Sequence, residues 1–156
     1  GRIKEDLALI DLNEVLKDVI DILQVPEHIQ VRIEKSLPKI YFEKNRIVQI
    51  FQNLLSNAIK FNDKAEGLIT ISYKKQNGFY QFEIADNGCG INEKDFDNIF
   101  KIFQTASTKN DNIESTGVGL TVVKKIIDFY GERIWLESEP GKATKFYFTI
   151  NSKQGD

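Results

Sequence analysis

The stretch RIVQIFQNLLSNAIKFN, Arg46 to Asn62, carries an apolar face and a polar stripe on what its spacing predicts to be one helix. Ile47, Ile50, Phe51, Leu54, Leu55, Ala58 and Ile59 recur at helical intervals, so one side is built for burial. Gln49, Asn53, Asn57 and Lys60 lie on the other side, at steps of four, four and three residues, within an arc of about 80° at helical pitch. An ordinary solvent face mixes Glu and Lys. Two carboxamides in register followed by an ammonium can instead meet a metal-bound anion, because amide oxygens suit a hard cation and Lys suits phosphate. The helix alone leaves two readings open, a solvated polar face and a ligand face.

Working outward, the chain before this helix begins with a polar segment that has no core face of its own and reads as the trimmed end of an upstream element. Asp11 then caps a helix, with Glu14 three residues on as in a capping box and Val15, Leu16, Val19, Ile20 and Leu23 as its apolar set; Pro26 follows. Ile29, Val31 and Ile33 alternate with polar residues as a half-buried strand, and Ile40 to Phe42 form a short second one. After the central helix, ITISYKK and FYQFEIAD flank Asn77-Gly78, a two-residue hairpin signal. Asn92 to Phe100 reads as a short amphipathic helix. Lys101 to Thr116 is a polar run without periodicity, read as a mobile loop; loops beyond about 12 to 15 residues in a compact domain are usually lids or binding loops. Gly117 to Tyr130 is periodic again and ends at Gly131, and RIWLES and KFYFTIN close the chain as two strands around Glu139-Pro140-Gly141.

This pattern predicts a two-layer α/β sandwich: a mixed, mostly antiparallel sheet of about five strands with three main helices on one face. A dinucleotide-binding fold would need strands alternating with helices and a glycine-rich turn after the first strand, and neither occurs. With 156 residues, 41% of them hydrophobic, the chain can close one substantial core. A net charge of −2 argues against nucleic-acid binding through a basic face. The single cysteine, Cys89, has no internal partner for a disulfide, which fits a reducing compartment. No apolar run of about 18 residues is present, and no signal peptide starts at Gly1. The expectation is a cytoplasmic domain without membrane contact of its own, from a parent that could be membrane-anchored.

Chemistry concentrates in glycine-containing clusters. Asp86-Asn87-Gly88-Cys89-Gly90-Ile91 follows directly on a strand, and its glycines let a flat ligand approach the backbone while Asp86 offers an acceptor for an exocyclic amine. A plain D-N-G turn is the competing reading. Thr116-Gly117-Val118-Gly119-Leu120 stands where the long loop becomes a helix, and exposed amides at a helix N-terminus make an anion site. It is not a Walker A loop, since no Gly-Lys-Ser/Thr follows. Gly141 to Phe146 leads into the last strand, where Thr144 could add a hydroxyl.

Together these clusters, in this order, resemble the catalytic ATP-binding domain of bacterial sensor histidine kinases, in the superfamily shared with gyrase, heat-shock chaperone and MutL ATPases (Bergerat-type fold). QNLLSNAIKF is similar to the N box, DNGCGI to the first glycine box, IFKIF to the phenylalanine box and STGVGL to the second glycine box, and GERIWLESEPGKATKFYFTI resembles the closing segment. The resemblance implies a domain over residues 11–151, preceded by a remnant of a dimerisation helix or linker at 1–10 and followed by a tail at 152–156. It implies ATP or ADP with Mg²⁺: Asn57 as metal ligand, Lys60 on phosphate, Phe61 near the base and Asp86 on the adenine amine. Gly88, Gly90 and Ile91 would line the base pocket, and Thr116, Gly117, Val118, Gly119 and Leu120 would wrap the phosphates. Thr144 would support the adenine end, with Lys101 to Thr116 as ATP lid and Lys109 as a lid contact. Ser115 and Ala143 depart from the pattern where the family usually has glycine.

Asn53 separates reaction classes. The related hydrolases carry Glu at the matching place, one turn before the Asn, where it can take a proton from water; a carboxamide cannot. A neutral imidazole brings its own lone pair, so positioning with Mg²⁺ can carry transfer to histidine, and Gln49 would orient that imidazole. The implied function is transfer of the γ-phosphoryl group to a histidine in a separate dimerisation and phosphoacceptor domain, with a response regulator downstream. The alternatives are a non-catalytic nucleotide-binding module and a gyrase-type ATPase. His28, the only histidine, reads as a surface residue rather than the acceptor, and Cys89 as a turn residue rather than a redox sensor.

Overall fold

A computed structural model describes residues 6–100 and 111–152, with only the backbone of residues 111–118. Its elements run β1 (Leu7–Asp11), α1 (Leu12–Leu23), β2 (Ile29–Ile33), β3 (Lys39–Glu43), α2 (Lys44–Lys60), β4 (Gly67–Gln76), β5 (Phe79–Asp86), α3 (Asp111–Phe129), β6 (Ile134–Glu139) and β7 (Ala143–Asn151). A five-stranded sheet in the order β2-β4-β5-β7-β6 is antiparallel except for the parallel β2–β4 pair, and β1 with β3 forms a separate two-stranded ribbon. This is the expected α/β sandwich with its mixed five-stranded sheet.

The segment before Asp11 departs from its reading. Leu7–Asp11 pairs antiparallel with β3, and Ile10 opposite Ile40 is buried in the core. Read as polar and without a core face, it holds Leu7, Leu9 and Ile10, and the strand that completes it lies about 30 residues away in sequence. For the same reason β2 and β3 do not pair with each other. After β2 the chain crosses to a different sheet, and Pro38 receives the Leu12 N–H on its carbonyl. Helix α1 begins as read, with the Asp11 carboxylate accepting from the Asn13 backbone N–H at 2.9 Å. The hairpin between β4 and β5 is also as read: Asn77 and Gly78 both have positive φ, 54° and 81°, as a tight primed turn requires.

Two boundaries are corrected. Asn92 to Phe100 is not one helix but two short 3₁₀ turns, Glu93–Asp95 and Asn98–Phe100. Phe96, Ile99 and Phe100 still reach the core, so the apolar spacing recorded burial without recording a continuous helix. The third helix starts at Asp111, not Gly117. Its first six residues, Asp111 to Thr116, hold a single apolar residue, Ile113, and so gave no apolar period to detect. The first part of the expected lid, 101–110, including Lys109, lies outside the described residues, as do 1–5 and 153–156.

Helix α2 holds the layers together. Ile47, Ile50, Phe51, Leu54 and Leu55 are all buried against the sheet and the neighbouring helices. Phe51 sits edge-on to Phe82 of β5 (5.9 Å between ring centroids) and to Phe148 of β7 (5.5 Å), while those two rings stack at 5.1 Å. Such pairs add to the burial energy of each ring. Replacing Phe51 by Ala should cost about 3–5 kcal/mol, read as a lower urea midpoint with an unchanged denaturant slope.

Candidate nucleotide site

The site begins at the end of the sheet. One rung of the ladder crosses four strands, joining Ile69 of β4, Asp86 of β5, Thr144 of β7 and Ser138 of β6. Asp86 and Thr144, separated by 58 positions in sequence, are thus direct cross-strand neighbours. The Ser138 hydroxyl donates to the Ala143 carbonyl (2.6 Å), lies 3.0 Å from the Thr144 hydroxyl and accepts the Ile91 N–H at 2.7 Å. The Gly141 N–H donates to the Cys89 carbonyl at 2.6 Å. The D-N-G-C-G-I turn and the β6–β7 turn are therefore one hydrogen-bonded unit, which explains why two glycine clusters about 50 residues apart serve one place.

Two glycines are required by close approach. A Cβ on Gly88 would lie 2.9 Å from both the Asp86 Oδ1 and the Phe61 carbonyl oxygen. One on Gly90 would lie 2.2 Å from the Glu139 carbonyl oxygen, and Gly90 has φ +73°, a conformation in which a side chain is strained in any case.

A polar clasp that sequence reasoning missed ties this turn to the end of α2. Asn62 donates to the Asn87 Oδ1 (2.8 Å), which also accepts the Leu68 N–H (2.8 Å), and the Asn87 amide donates to the Glu66 carbonyl (3.0 Å). The Phe61 carbonyl accepts the Cys89 N–H at 3.2 Å. Lys64 donates from Nζ to the Gly88 carbonyl (3.1 Å) and to Asp63 (2.7 Å). The available signal was the density of turn-forming residues in Asn62-Asp63-Lys64 and at Asn87, but only the fold shows that they meet.

On the stripe of α2, Asn57 is half-buried and its Nδ2 is a buried donor without a partner among the described residues. Asn53 donates from Nδ2 to the Gln49 carbonyl at 2.9 Å. Its Oδ1 lies 3.1 Å from where a Cβ on Gly119 would stand, so Gly119 lets α3 approach the stripe. Gln49 and Lys60 are exposed, and the Gln49 Oε1 accepts from Arg46 at 3.4 Å. Gly117 and Gly119 lie inside α3 rather than at its N-terminus, which corrects the expectation of free helix-start amides at that point: the backbone there is already within the helix. Leu120 is wholly buried in the core, and Ile91 is half-buried against it. The side chains of Thr116 and Val118 lie outside the described ones.

Burial pushes the Asp86 carboxyl up to about 6, against the opposing pull of the Gly88 N–H (donor to Oδ1 at 2.7 Å) and the Lys64 charge. Such displacement of a carboxylate by desolvation is frequent at functional sites. The Cys89 thiol is raised by burial and by Asp63 and Asp86, opposite to what a reactive thiolate needs. His28 is exposed, as read.

Residues 42–154 match the family of histidine kinase-, DNA gyrase B- and HSP90-like ATPases. The chain belongs to this family. Among its relatives, cyanobacterial phytochrome B of Nostoc sp. is 38% identical over 96% of this chain and 20% of the relative. The adaptive-response sensory kinase SasA of Prochlorococcus marinus is 31% identical over 90% of this chain and 40% of the relative. The chain thus spans well under half the length of these curated relatives. The catalytic domain of histidine kinase ThkA superposes with a TM-score of 0.76 at 25% identity, covering 94% of this chain and 97% of that one. Full-length ShkA in complex with AMPPNP has the same fold (TM-score 0.80, 24% identity, 97% of this chain and 32% of that one). Within the ATPase family, the chain therefore has the architecture of the ATP-binding kinase domain of sensor histidine kinases.

The Asp86 shift has a stability consequence. Its folded-state value near 6 stands above the ordinary 3.8, so proton uptake stabilises the fold fully below about pH 4, and that contribution is lost as pH rises through about 6. Asp86→Asn, which does not titrate, should be more stable than the native chain by about 1–2 kcal/mol at pH 8, with the advantage vanishing near pH 4 in parallel thermal melts. Gly90→Ala should lose at least about 2 kcal/mol in chemical denaturation, since both φ and the Glu139 carbonyl oppose it.

Proposed function

We propose that this chain is the catalytic ATP-binding domain of a sensor histidine kinase, transferring the γ-phosphoryl group of ATP to a histidine outside residues 1–156. The observation that carries the choice of reaction is Asn53. One turn before Asn57 the stripe holds a carboxamide whose N–H is already given to the Gln49 carbonyl. It cannot take a proton from water, which a gyrase-type hydrolase requires at this place. An imidazole acceptor needs no such base.

In this reading Asp86, through its ionised carboxylate, accepts the exocyclic amine of adenine while Thr144 beside it supports the base. Gly88, Gly90 and Ile91 keep the pocket wall thin, Phe61 packs beside the base, and Lys60 at the exposed end of α2 meets phosphate. Backbone around Gly117 and Gly119, with Thr116, Val118 and Leu120, borders the phosphates, and Lys109 contacts them. Gln49, exposed one turn before Asn53, orients the incoming imidazole. Asn57 suits Mg²⁺: its carboxamide is half-buried with an unpartnered nitrogen end, and the two ends of an amide are assigned only by their surroundings. Among the described residues no group of three or more His, Cys, Asp and Glu could cage a metal. A single amide oxygen fits an ion that retains waters and phosphate oxygens as its remaining ligands, and bound there Mg²⁺ would neutralise charge on the phosphates. The catalytic domain comprises residues 11–151 together with the rest of β1 from Leu7, whose Ile10 lies in the same core. Its acceptor domain and a response regulator are the protein partners, and its setting is cytoplasmic; no helix among the described residues is long and apolar enough to cross a membrane.

Incubated alone with γ-labelled Mg-ATP, the chain should acquire no acid-labile label, His28 included. Supplied with the phosphoacceptor domain of its parent, it should yield phosphohistidine; free phosphate released without it would instead indicate the hydrolase. Asn57→Ala should weaken Mg²⁺-dependent nucleotide affinity by about tenfold or more in calorimetric titration, while Gln49→Ala should keep affinity and lose transfer rate.

A further inference from the structure

The base-reading turn is held from outside by a residue that the family resemblance leaves without a role. The Gly88–Cys89 peptide is pinned on both sides: its N–H by the Phe61 carbonyl (3.2 Å) and its C=O by the Lys64 Nζ (3.1 Å). The preceding N–H, of Gly88, goes to the Asp86 Oδ1 at 2.7 Å. Lys64 is itself fixed, its backbone N–H donating to the Asn62 Oδ1 at 3.0 Å and its ammonium also meeting Asp63 at 2.7 Å. Asn62 in turn belongs to the clasp with Asn87. The Lys64 charge also pulls the Asp86 carboxyl down, against its burial.

We propose that Lys64 is a positioning residue for adenine recognition: its ammonium locks the Gly88 carbonyl, and with it the turn that aims Asp86, and places a positive charge near that carboxylate. The inference rests on Asp86 reading the base, as proposed above. Geometry and charge act together here. The lock spends one Asp86 oxygen on Gly88 and leaves the other for a ligand, and an ionised acceptor makes the stronger hydrogen bond. The surroundings of Asp86 define the titration. Its cross-strand neighbours Ile69 and Thr144 do not titrate. Among the described residues, Asp63, on the loop with Lys64, and Cys89, in the turn itself, are the titratable groups beside it; Cys89 stays protonated through the range concerned because its thiol is raised. Asp63 is held low by Lys64 and so stays charged.

The test uses the native chain with Lys64→Met, Lys64→Gln, Lys64→Arg and Asp86→Asn. The Asp86 carboxyl carbon is titrated by NMR without nucleotide, and ADP affinity is measured by calorimetry from pH 5 to 8. In Lys64→Met the Asp86 midpoint should rise by at least about half a unit, and ADP affinity at pH 7 should fall about threefold to tenfold with its acid limb moved to higher pH. Lys64→Arg should restore both. Lys64→Gln, which keeps an N–H donor for Gly88 without charge and guards against a folding defect, should show the raised midpoint with a smaller loss of affinity. An unmoved midpoint in Lys64→Met, or a moved one with native ADP affinity at pH 7, overturns the role of Lys64. The reading of Asp86 itself fails separately, if Asp86→Asn binds ADP as tightly as the native chain.

Discussion

The rung from Ile69 through Asp86 and Thr144 to Ser138 is the constraint on which the site depends, because it is where the sheet stops and two turns begin. Strand pairing is cooperative along a ladder, and register errors of one residue would turn every side chain to the opposite face. The aromatic pairs Phe82–Phe148 and Phe51–Phe148 hold that register from the core side. Once it is set, Asp86 and Thr144 have to stand side by side, and the turns leaving their strands have to meet, with Gly90 against Glu139 and Gly141 on the Cys89 carbonyl. The glycines follow from that meeting rather than from loop flexibility in general.

Helix α2 is the second support, and its two faces have different roles. Its apolar face ties α1, α3 and the sheet into one core, while its polar stripe faces the glycine of α3 at Gly119 and ends beside the D-N-G turn through Phe61. Neither role is separable from the other: the burial of Leu54, Leu55 and Ala58 sets the rotation of the helix, and that rotation leaves the Asn57 Nδ2 buried without a partner among the described residues. A polar group in that condition costs free energy unless a ligand satisfies it. Asp86 shows the same logic, carrying a carboxyl pushed up to about 6 by burial. Both are places where the fold has given up stability, which is how binding sites differ from ordinary surface.

Membership of the ATPase family follows from the match over residues 42–154, and the proposed choice of reaction within it rests on Asn53. A carboxylate there would allow water to be activated; in the proposed reading, a carboxamide with its N–H committed to the helix backbone leaves catalysis to positioning. That distinction needs no large rearrangement of the site, so one scaffold can serve hydrolysis and transfer to histidine.

The sequence alone determined much of this. The period of α2, the hairpin at Asn77-Gly78, the cap at Asp11 and the identities of Asn53, Asn57, Asp86 and the glycines were all legible, because each is a local pattern whose physics acts within a few residues. What only the tertiary structure decided was everything set by contacts between distant segments. The strand at Leu7–Asp11 exists because β3 completes its hydrogen bonds, and the amphipathic spacing of Phe96, Ile99 and Phe100 yields two 3₁₀ turns because packing, not helix continuity, satisfies those side chains. The clasp of Asn62, Lys64 and Asn87 was likewise out of reach, since turn residues announce a change of direction but not the partner they turn toward.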